Sequence, residues 1–532
     1  MSENRSSARW VIVFAAFAVV LAAAPYKLFD LDRFFVSKEL VLNAAALVAA
    51  LLVLHRTREI ALTRVDLLLG AYLALSALSA LFAVNHWLGI RALAITLASA
   101  AIFWTARAAS GGGAGRAIVA ACAIAAVLGA ITSLAQAYGV TSEYVSLNRA
   151  PGGTFGNRNF MAHLAAIGVP AAVLCTITAR RAWSAVLFAA GMAVLAGALV
   201  MSRTRAAWLG LAAGAAVLAV GLWRAHRRWS DPRAARRLQM LGGAAVLGVL
   251  AALLLPNTLE WKSDSPYLDT VTGVVNYREG SGHGRVVQYA NTLRIAAAHP
   301  LLGVGPGNWA VAYPRVAAGN DPSLDPDDGM TSNPWPSSDW MAIAAERGIP
   351  ALVVLTLVLF GLAMGAWRRA DHATSAEQYV EGLALASALV VTVIVGAFDA
   401  VLLLPAPALI AWALFGALSA PSAARRVTAI STSGRRRMMI AVFLIGAAGV
   451  VRSAAQLGAM AVFSDARELR QFETAARLDP GSYRIQMKLA SLYEQRGDCE
   501  KMREAAMAAR SLYPNAPDPR RLIRACGRRA PR

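Results

Sequence analysis

Apolar runs of about 15 to 22 residues, separated by short basic connectors, repeat along most of the chain, and a polar stretch at about 256–348 breaks the pattern. A helix that crosses a bilayer needs roughly 20 mostly apolar residues. By that rule thirteen runs qualify, near 10–25, 39–54, 66–84, 87–106, 117–138, 160–179, 183–201, 206–223, 239–255, 349–367, 379–397, 401–419 and 438–456. The second and ninth are short for it, and the boundary between the eleventh and twelfth is weak. The pattern predicts an all-α polytopic membrane protein of about 13 transmembrane helices, with a large external loop and a C-terminal soluble helical domain.

The connectors orient this path. His55-Arg-Thr-Arg58 with Arg64, Arg107 with Arg116, Arg180-Arg181, Arg224 to Arg237, Arg368-Arg369, and Arg425-Arg426 with Arg435 to Arg437 all follow even-numbered runs, and Arg5 and Arg9 precede the first. Short basic connectors stay in the cytoplasm. The N-terminus is therefore expected inside, and 256–348 outside, together with the loop 139–159 and the turn Met201-Ser-Arg203-Thr-Arg205. Two arginines in an external turn break the rule. They either serve a function or snorkel to headgroups. The first run, Trp10 to Ala24, reads as a retained anchor rather than a cleaved leader. The expected divisions are an N-terminal membrane domain at 1–255 with about nine helices, an external loop at 256–348, about four further membrane helices at 349–460, and an external helical domain at 464–532.

Composition agrees with the pattern. The chain has 532 residues, 57% hydrophobic and 16% charged, against about 25% charged in a soluble domain. Its net charge of +21 sits in the connectors, where it writes topology, so no nucleic-acid partner is expected. Four cysteines are too few for a disulfide framework. Cys122 and Cys175 read as buried span residues. Cys499 and Cys526 lie in the external tail, as either a disulfide or two thiols. In that tail Ala475-Ala-Arg-Leu-Asp-Pro480 is echoed by Ala508-Ala-Arg-Ser-Leu-Tyr-Pro514. The prolines fall 34 residues apart, as in a tetratricopeptide repeat. Such repeats form concave peptide-binding surfaces, which suggests a protein partner or protein acceptor. One copy is too little to stand alone, so the tail is expected to lean on the membrane body or on a partner.

The chain has no zinc-spaced Cys/His cluster, Walker loop or Gly-x-Ser-x-Gly elbow. Gly303-Val-Gly-Pro-Gly307 lacks dinucleotide spacing and reads as a tight turn presenting backbone N–H groups. What remains is cationic and external. Arg205 stands at the mouth of the eighth run, and Arg285 opens a helical stretch that continues with Gln288, Asn291 and Arg294. Paired guanidinium forks at a bilayer surface suit a diphosphate. They equally suit structural ion pairs with Asp264, Asp269 or Glu279, and residue type alone does not separate the two.

The order of pieces resembles the O-antigen ligase and polymerase superfamily of bacterial membrane glycosyltransferases. Gly153-Thr-Phe-Gly-Asn157-Arg-Asn159 is similar to that family's Gly-Thr-Phe-Gly-Asn-Pro-Asn, with Arg158 in place of the proline. Ser202-Arg-Thr-Arg205-Ala-Ala-Trp208-Leu resembles Thr-x-Ser-Arg-Gly-Ala-Trp. Ser281-Gly-His-Gly-Arg285, then His299-Pro-Leu-Leu-Gly-Val-Gly-Pro-Gly-Asn-Trp309, resembles an arginine followed by His-Pro-Leu-Leu-Gly-Val-Gly. Pro336-Ser-Ser-Asp339-Trp-Met-Ala-Ile-Ala-Ala-Glu346-Arg-Gly348 resembles Ala-His-Asn-Asp-Tyr-Leu-Gln-Leu-Leu-Ala-Glu-x-Gly. The resemblance covers roughly 140–420.

It implies transfer of a glycan from an undecaprenyl diphosphate carrier, on the periplasmic face of the bacterial inner membrane, to lipid A–core, another glycan or a protein. No metal or cofactor is implied. Arg205 and Arg285 would hold the diphosphate and stabilise its developing charge. The expected substrate-binding set is Asn157, Arg158, Arg203, His283, Gly303, Gly305, Trp335, Trp340 and Glu346. The sequence departs from the family at Ser337, which stands where the family carries its histidine. Serine is a poor base near neutral pH, and Asp339 is the nearest substitute, ahead of His283, Asp327 and Asp328. A member that lost its histidine and only binds lipid-linked glycan, or scaffolds the polysaccharide machinery, is the alternative. A transporter fits less well, because apart from Arg91, Asp66, Glu381 and Asp399 the runs carry few ionisable groups.

Overall fold

The computed structural model describes residues 3–111, 115–145, 150–228, 231–261, 263–273, 280–419 and 426–529. Residues 112–114, Glu279 and Arg425 lie outside the described residues, as do the side chains of Arg5, Ser281, Arg426 and Cys526.

Nine helices run back and forth before the polar stretch. They are α1 (Glu3–Leu21), α2 (Asp32–Arg56), α3 (Arg64–Leu81), α4 (His86–Ala109), α5 (Gly115–Ala137), α6 (Arg158–Ile177), α7 (Ala182–Ser202), α8 (Arg205–Arg228) and α9 (Pro232–Leu254). The polar stretch carries α10 (Pro266–Thr272), α11 (Gly280–Ala298), α12 (Trp309–Ala312) and α13 (Asp339–Arg347). The bundle resumes with α14 (Ile349–Asp371), α15 (Ala376–Phe398), α16 (Pro405–Leu418) and α17 (Thr432–Asp465). The tail is α18 (Leu469–Leu478), α19 (Tyr483–Arg496), α20 (Cys499–Leu512) and α21 (Pro517–Arg529).

Side-chain caps set several starts, as expected where helix N–H groups have no partner within the helix. Thr63 and Asp66 form a capping box on α3, Asn85 caps α4, and Ser375 caps α15. Small residues let the helices close in. Gly248 of α9 lies so near Ala193 of α7 that a Cβ there would overlap its backbone.

Among the described residues eleven helices are long and apolar enough to cross a membrane, and α1 and α16 are shorter in apolar length. The difference from thirteen full runs is physical at α16. The twelfth run, expected at 401–419, becomes a helix only from Pro405, and all 14 of its residues are buried inside the bundle. At about 1.5 Å per residue it spans about 21 Å, too short for a bilayer core of about 30 Å. The residues before it, 399–404, are not helical.

One end of the bundle gathers the basic connectors. There Arg107 pairs with Asp66 at 2.6 Å, Arg116 with Glu377 and Arg369 with Glu381, while Arg237 donates to the Ile177 and Ala179 carbonyls. The same end carries a departure from the all-α expectation, a two-stranded antiparallel sheet of β1 (Glu59–Leu62) on β2 (Arg426–Ala429). The opposite end gathers the loop residues 139–145 and 150–159, the 203–205 turn, the described residues of the polar stretch and the tail.

The tail does lean on the membrane body. Helix α17 runs unbroken for 34 residues, about 51 Å, so the domain boundary expected at 460–464 falls inside a helix. Its last turns form a second core, in which Met460 and Phe463 meet Phe472, Ile485 and Leu489 together with Phe29 and Val36. Asn85 donates to the Leu512 carbonyl at 3.2 Å, Asn515 to the Val311 carbonyl at 3.1 Å, and Arg484 pairs with Asp30 at 2.9 Å. Trp87 covers Gly481 closely. Cys122 and Cys175 are free, and Cys499 is disulfide-bonded.

Candidate functional site

The site starts from the loop into α6. Gly156 adopts φ 70° with the Phe34 ring packed where a side chain would stand. Next to it Asn157 caps α6, its side chain accepting the Asn159 N–H at 3.0 Å. Asn159 then joins two distant elements. Its Oδ1 accepts from Thr204 Oγ1 at 3.1 Å, and its Nδ2 donates to Asp399 Oδ2 at 3.2 Å. One turn further along the same helix face, His163 Nε2 lies 3.8 Å from Asp399 Oδ2. The imidazole is 0% exposed. The Asp399 side chain keeps 11% exposure, so it is the member of the pair that reaches out. Arg285, half-buried on α11, stands close enough to act electrostatically on the imidazole.

Asp399 is placed by the unwound residues 399–404, and these are held by α13. Ser338 caps α13 and donates to the Gly396 carbonyl at 3.2 Å. Asp339 is 0% exposed, and its carboxylate accepts the Val401 N–H at 3.0 Å and the Leu402 N–H at 2.9 Å. Burial pushes the Asp339 carboxyl up to about 7, against the pull of those N–H donors. The carboxylate expected to stand in for the missing histidine is thus enclosed and engaged in holding a turn. Ser337 lies at the same junction through its backbone, accepting from Tyr289 Oη at 2.6 Å and donating to Gln288 Oε1 at 2.7 Å. Tyr289 Oη also sits 3.1 Å from the Ala397 carbonyl, which ties α11 to the end of α15.

The external arginines sit beside this junction. Arg203 is left-handed at φ 53°, and its Nε donates to Thr270 Oγ1 at 2.8 Å. Its guanidinium lies 4.7 Å from the Trp261 ring, which Arg158 shares at 5.2 Å. Arg205 opens α8 and donates to the Gly273 carbonyl. Among the described residues neither Arg205 nor Arg285 forms an ion pair with a carboxylate.

Other expected residues fall elsewhere. The Gly303–Gly307 turn spends its N–H groups on the chain itself. Val304 and Gly305 donate to the Ala345 and Glu346 carbonyls at 2.9 Å, so Gly303 and Gly305 close the end of α13 rather than cradle an anion. The Glu346 carboxylate is buried and accepts the Trp309 N–H at 3.3 Å. Burial raises its pKa, with Arg347 opposing. Trp335 wedges edge-on between Phe35 at 5.2 Å and Phe160 at 5.9 Å. Trp340 donates to the Val393 carbonyl at 3.1 Å and borders an apolar groove of about 1200 Å³ between α8, α14 and α15. His283 is exposed at the start of α11, apart from these contacts.

Sequence reasoning missed three members. His163 lies inside an apolar run, Asn159 stands out only as part of a motif, and Asp399 stands out only as one of a few ionisable groups in the runs. The usable signal was Asp399, since an ionisable residue at membrane depth is a functional candidate by default.

Residues 190–356 match the family model described as O-Antigen ligase. The matched stretch runs from within α7 into α14 and includes Arg203, Arg205, Arg285, Ser337 and Asp339; Asn159, His163 and Asp399 lie outside it. A comparison with curated proteins gives no match. The match supports a place in the O-antigen ligase superfamily, and with it an enzyme of the glycosyltransferase-like ligase kind with lipid-linked glycan among its partners. The helices make the protein polytopic and membrane-spanning by length and composition.

Proposed function

We propose that the protein transfers a glycan from an undecaprenyl-diphosphate-linked donor to an acceptor hydroxyl at the periplasmic face of the inner membrane. The observation that carries the reading is the chain Thr204–Asn159–Asp399–His163, which links a carboxylate to the arginine turn. In this scheme the acceptor oxygen attacks the anomeric carbon as the bond from that carbon to the diphosphate oxygen breaks. The hydroxyl proton passes to Asp399. The leaving diphosphate keeps the bonding electrons, and Arg205 and Arg285 stabilise its charge. The groove beside Trp340 supports a donor with a long apolar chain. The acceptor is lipid A–core, a growing glycan or a protein; the seat of the tail on the 311–315 segment supports a role for it in presenting a protein partner or acceptor.

The test is deletion of the gene in its host, complemented with the unaltered gene or with Asp399→Asn or Arg285→Ala. A transferase loses its long-glycan product and accumulates lipid-linked donor, and neither variant restores the product. The engagement of the Asp339 carboxylate in holding the turn at Val401 and Leu402 favours a second reading, a binder or scaffold of the polysaccharide machinery without catalysis. A binder tolerates Asp399→Asn and leaves the donor pool unchanged, provided the strain makes the donor and has no second copy of the gene.

A further inference from the structure

Helix α11 is inverted relative to a water-facing helix, which hides its apolar face and shows its polar one. Its buried face carries Gln288, Asn291 and Thr292. The segment that follows satisfies all three. Gln288 Nε2 donates to Ser323 Oγ at 3.1 Å, Asn291 Nδ2 donates to Asp321 Oδ2 at 2.8 Å, and Thr292 Oγ1 accepts from Trp309 Nε1 at 2.9 Å. The outward face carries Val286, Ala290, Leu293 and Ala297, all exposed, at the three- and four-residue spacing that lines up one side of a helix. Leu293 is 52% exposed.

Two ties fix how α11 lies. Tyr289 Oη donates to the Ala397 carbonyl at 3.1 Å, in the last turn of α15. The Pro300 carbonyl, just past α11, accepts the Ile349 N–H at 2.8 Å, at the first residue of α14. The ties are about three turns of helix apart, and α15 ends where α14 begins, at one end of the bundle. Helix α11 therefore lies across the ends of two membrane helices, along the membrane surface.

Single apolar side chains on a surface need no explanation, but this stripe continues a face that already meets lipid. It runs through Leu301, 71% exposed, to Ile349, Val353, Leu357 and Phe360 down the outside of α14, a helix long and apolar enough to cross a membrane. Arg294 is exposed beside Leu293, and its long stem lets the guanidinium reach headgroup phosphates. We infer that α11 is an interfacial helix, with Val286, Ala290, Leu293 and Ala297 seated among the upper acyl chains of the leaflet at this end and Arg294 at its phosphates. The inference stands apart from the transferase reading. What it adds there is a fixed height for Arg285, which is carried on the same helix, at the level of a lipid headgroup.

The test uses the full-length protein in nanodiscs of phosphatidylethanolamine and phosphatidylglycerol, with or without phosphatidylcholine brominated near the top of its acyl chains. Leu293→Cys and Ala297→Cys each carry a bimane label, and Ala290→Cys replaces either one if it fails to fold. Val353→Cys on α14 is the lipid-facing reference, and Ala318→Cys, on an exposed turn, is the water-facing one. Background from the free cysteines Cys122 and Cys175 is read on the unaltered protein. The expected result is an about twofold loss of fluorescence for each α11 label in brominated lipid, as at Val353, with none at Ala318. Iodide, a water-soluble quencher, should reach the Ala318 label and spare those on α11. Labels on α11 that brominated lipid leaves bright overturn the inference. If iodide then quenches them, the face lies in water; if iodide is excluded too, a second copy of the chain or another protein covers it. Neither quencher reports transfer, so failure of the transferase reading, seen by complementation with Arg285→Ala, is distinguished from failure of the seat.

Discussion

His163 and Asp399 face each other across 3.8 Å, Nε2 to Oδ2, with the imidazole sealed inside the bundle and the carboxylate largely buried, keeping 11% exposure. In the proposed transferase Asp399 is the group that meets an acceptor and His163 the group that positions it. Asp399→Asn keeps the size and the contact with Asn159 but removes the base. Transfer is expected to fall by about 10²- to 10⁴-fold, the usual worth of a general base, while binding of a geranyl diphosphate probe stays within about twofold. His163→Gln should cost less and should move the pH profile of the residual rate, which a purely structural role would leave in place.

Arg285 and Arg205 form no ion pair with a carboxylate among the described residues, and in the proposed transferase both meet the donor diphosphate. Arg285→Ala is expected to raise the donor KM more than tenfold, and Arg285→Lys to give an intermediate value because charge survives while the two-pronged geometry does not. Steady-state kinetics with a water-soluble donor analogue would show it. Equal KM values for all three proteins would remove Arg285 from the donor site.

Asp339 ties stability to pH. Its carboxyl is raised by burial from 3.8 to about 7, so the folded protein holds this proton more tightly than the unfolded chain. The stabilisation is complete below about 4 and is lost as pH rises through about 7. Melting midpoints in detergent should therefore fall over that range, and Asp339→Asn should flatten the slope. Asp339→Leu strands the Val401 and Leu402 N–H groups, at a cost of about 1–3 kcal/mol each, and should lower the midpoint at every pH.

Gly303 holds φ 65° with the Glu346 backbone where a Cβ would be. Gly303→Ala should lower the melting midpoint by several degrees, since both strain and overlap oppose it. Gly365→Ala, where nothing lies within 4 Å of the added carbon, should be neutral or slightly stabilising. Matched midpoints for the two variants would contradict the turn geometry.

The sequence made the bundle legible because each membrane helix is written locally, as length, apolarity and a basic connector. It also carried the pieces of the site, since Asn157, Arg203, Arg205, Arg285 and Asp339 all come from stretches quoted for their resemblance. It did not carry their division of labour. Asp339 reads as a base until the turn at Val401 and Leu402 closes on it, and that contact joins residues about sixty positions apart. His163 is silent in the sequence because one imidazole in an apolar run looks like core until its neighbour is known. The twelfth run shows the same limit. Its hydropathy continues through 401–404, while the backbone there is unwound by hydrogen bonds to a carboxylate elsewhere in the chain.

Helix α17 has one more consequence. It is anchored in the bundle by Asn43, whose Nδ2 donates to Ser453 Oγ at 3.0 Å, and it continues without a break to Phe463 in the tail core. Between those points the helix is a threaded shaft. Adding or removing a single residue there turns everything beyond by about 100° and shifts it by about 1.5 Å, swinging Gly481 off Trp87 and Asn515 off Val311. The spacing from Ser453 to Phe463 is therefore under a phase constraint that no loop imposes, and chimaeras joined within it should tolerate exchanged residue types far better than a changed residue count.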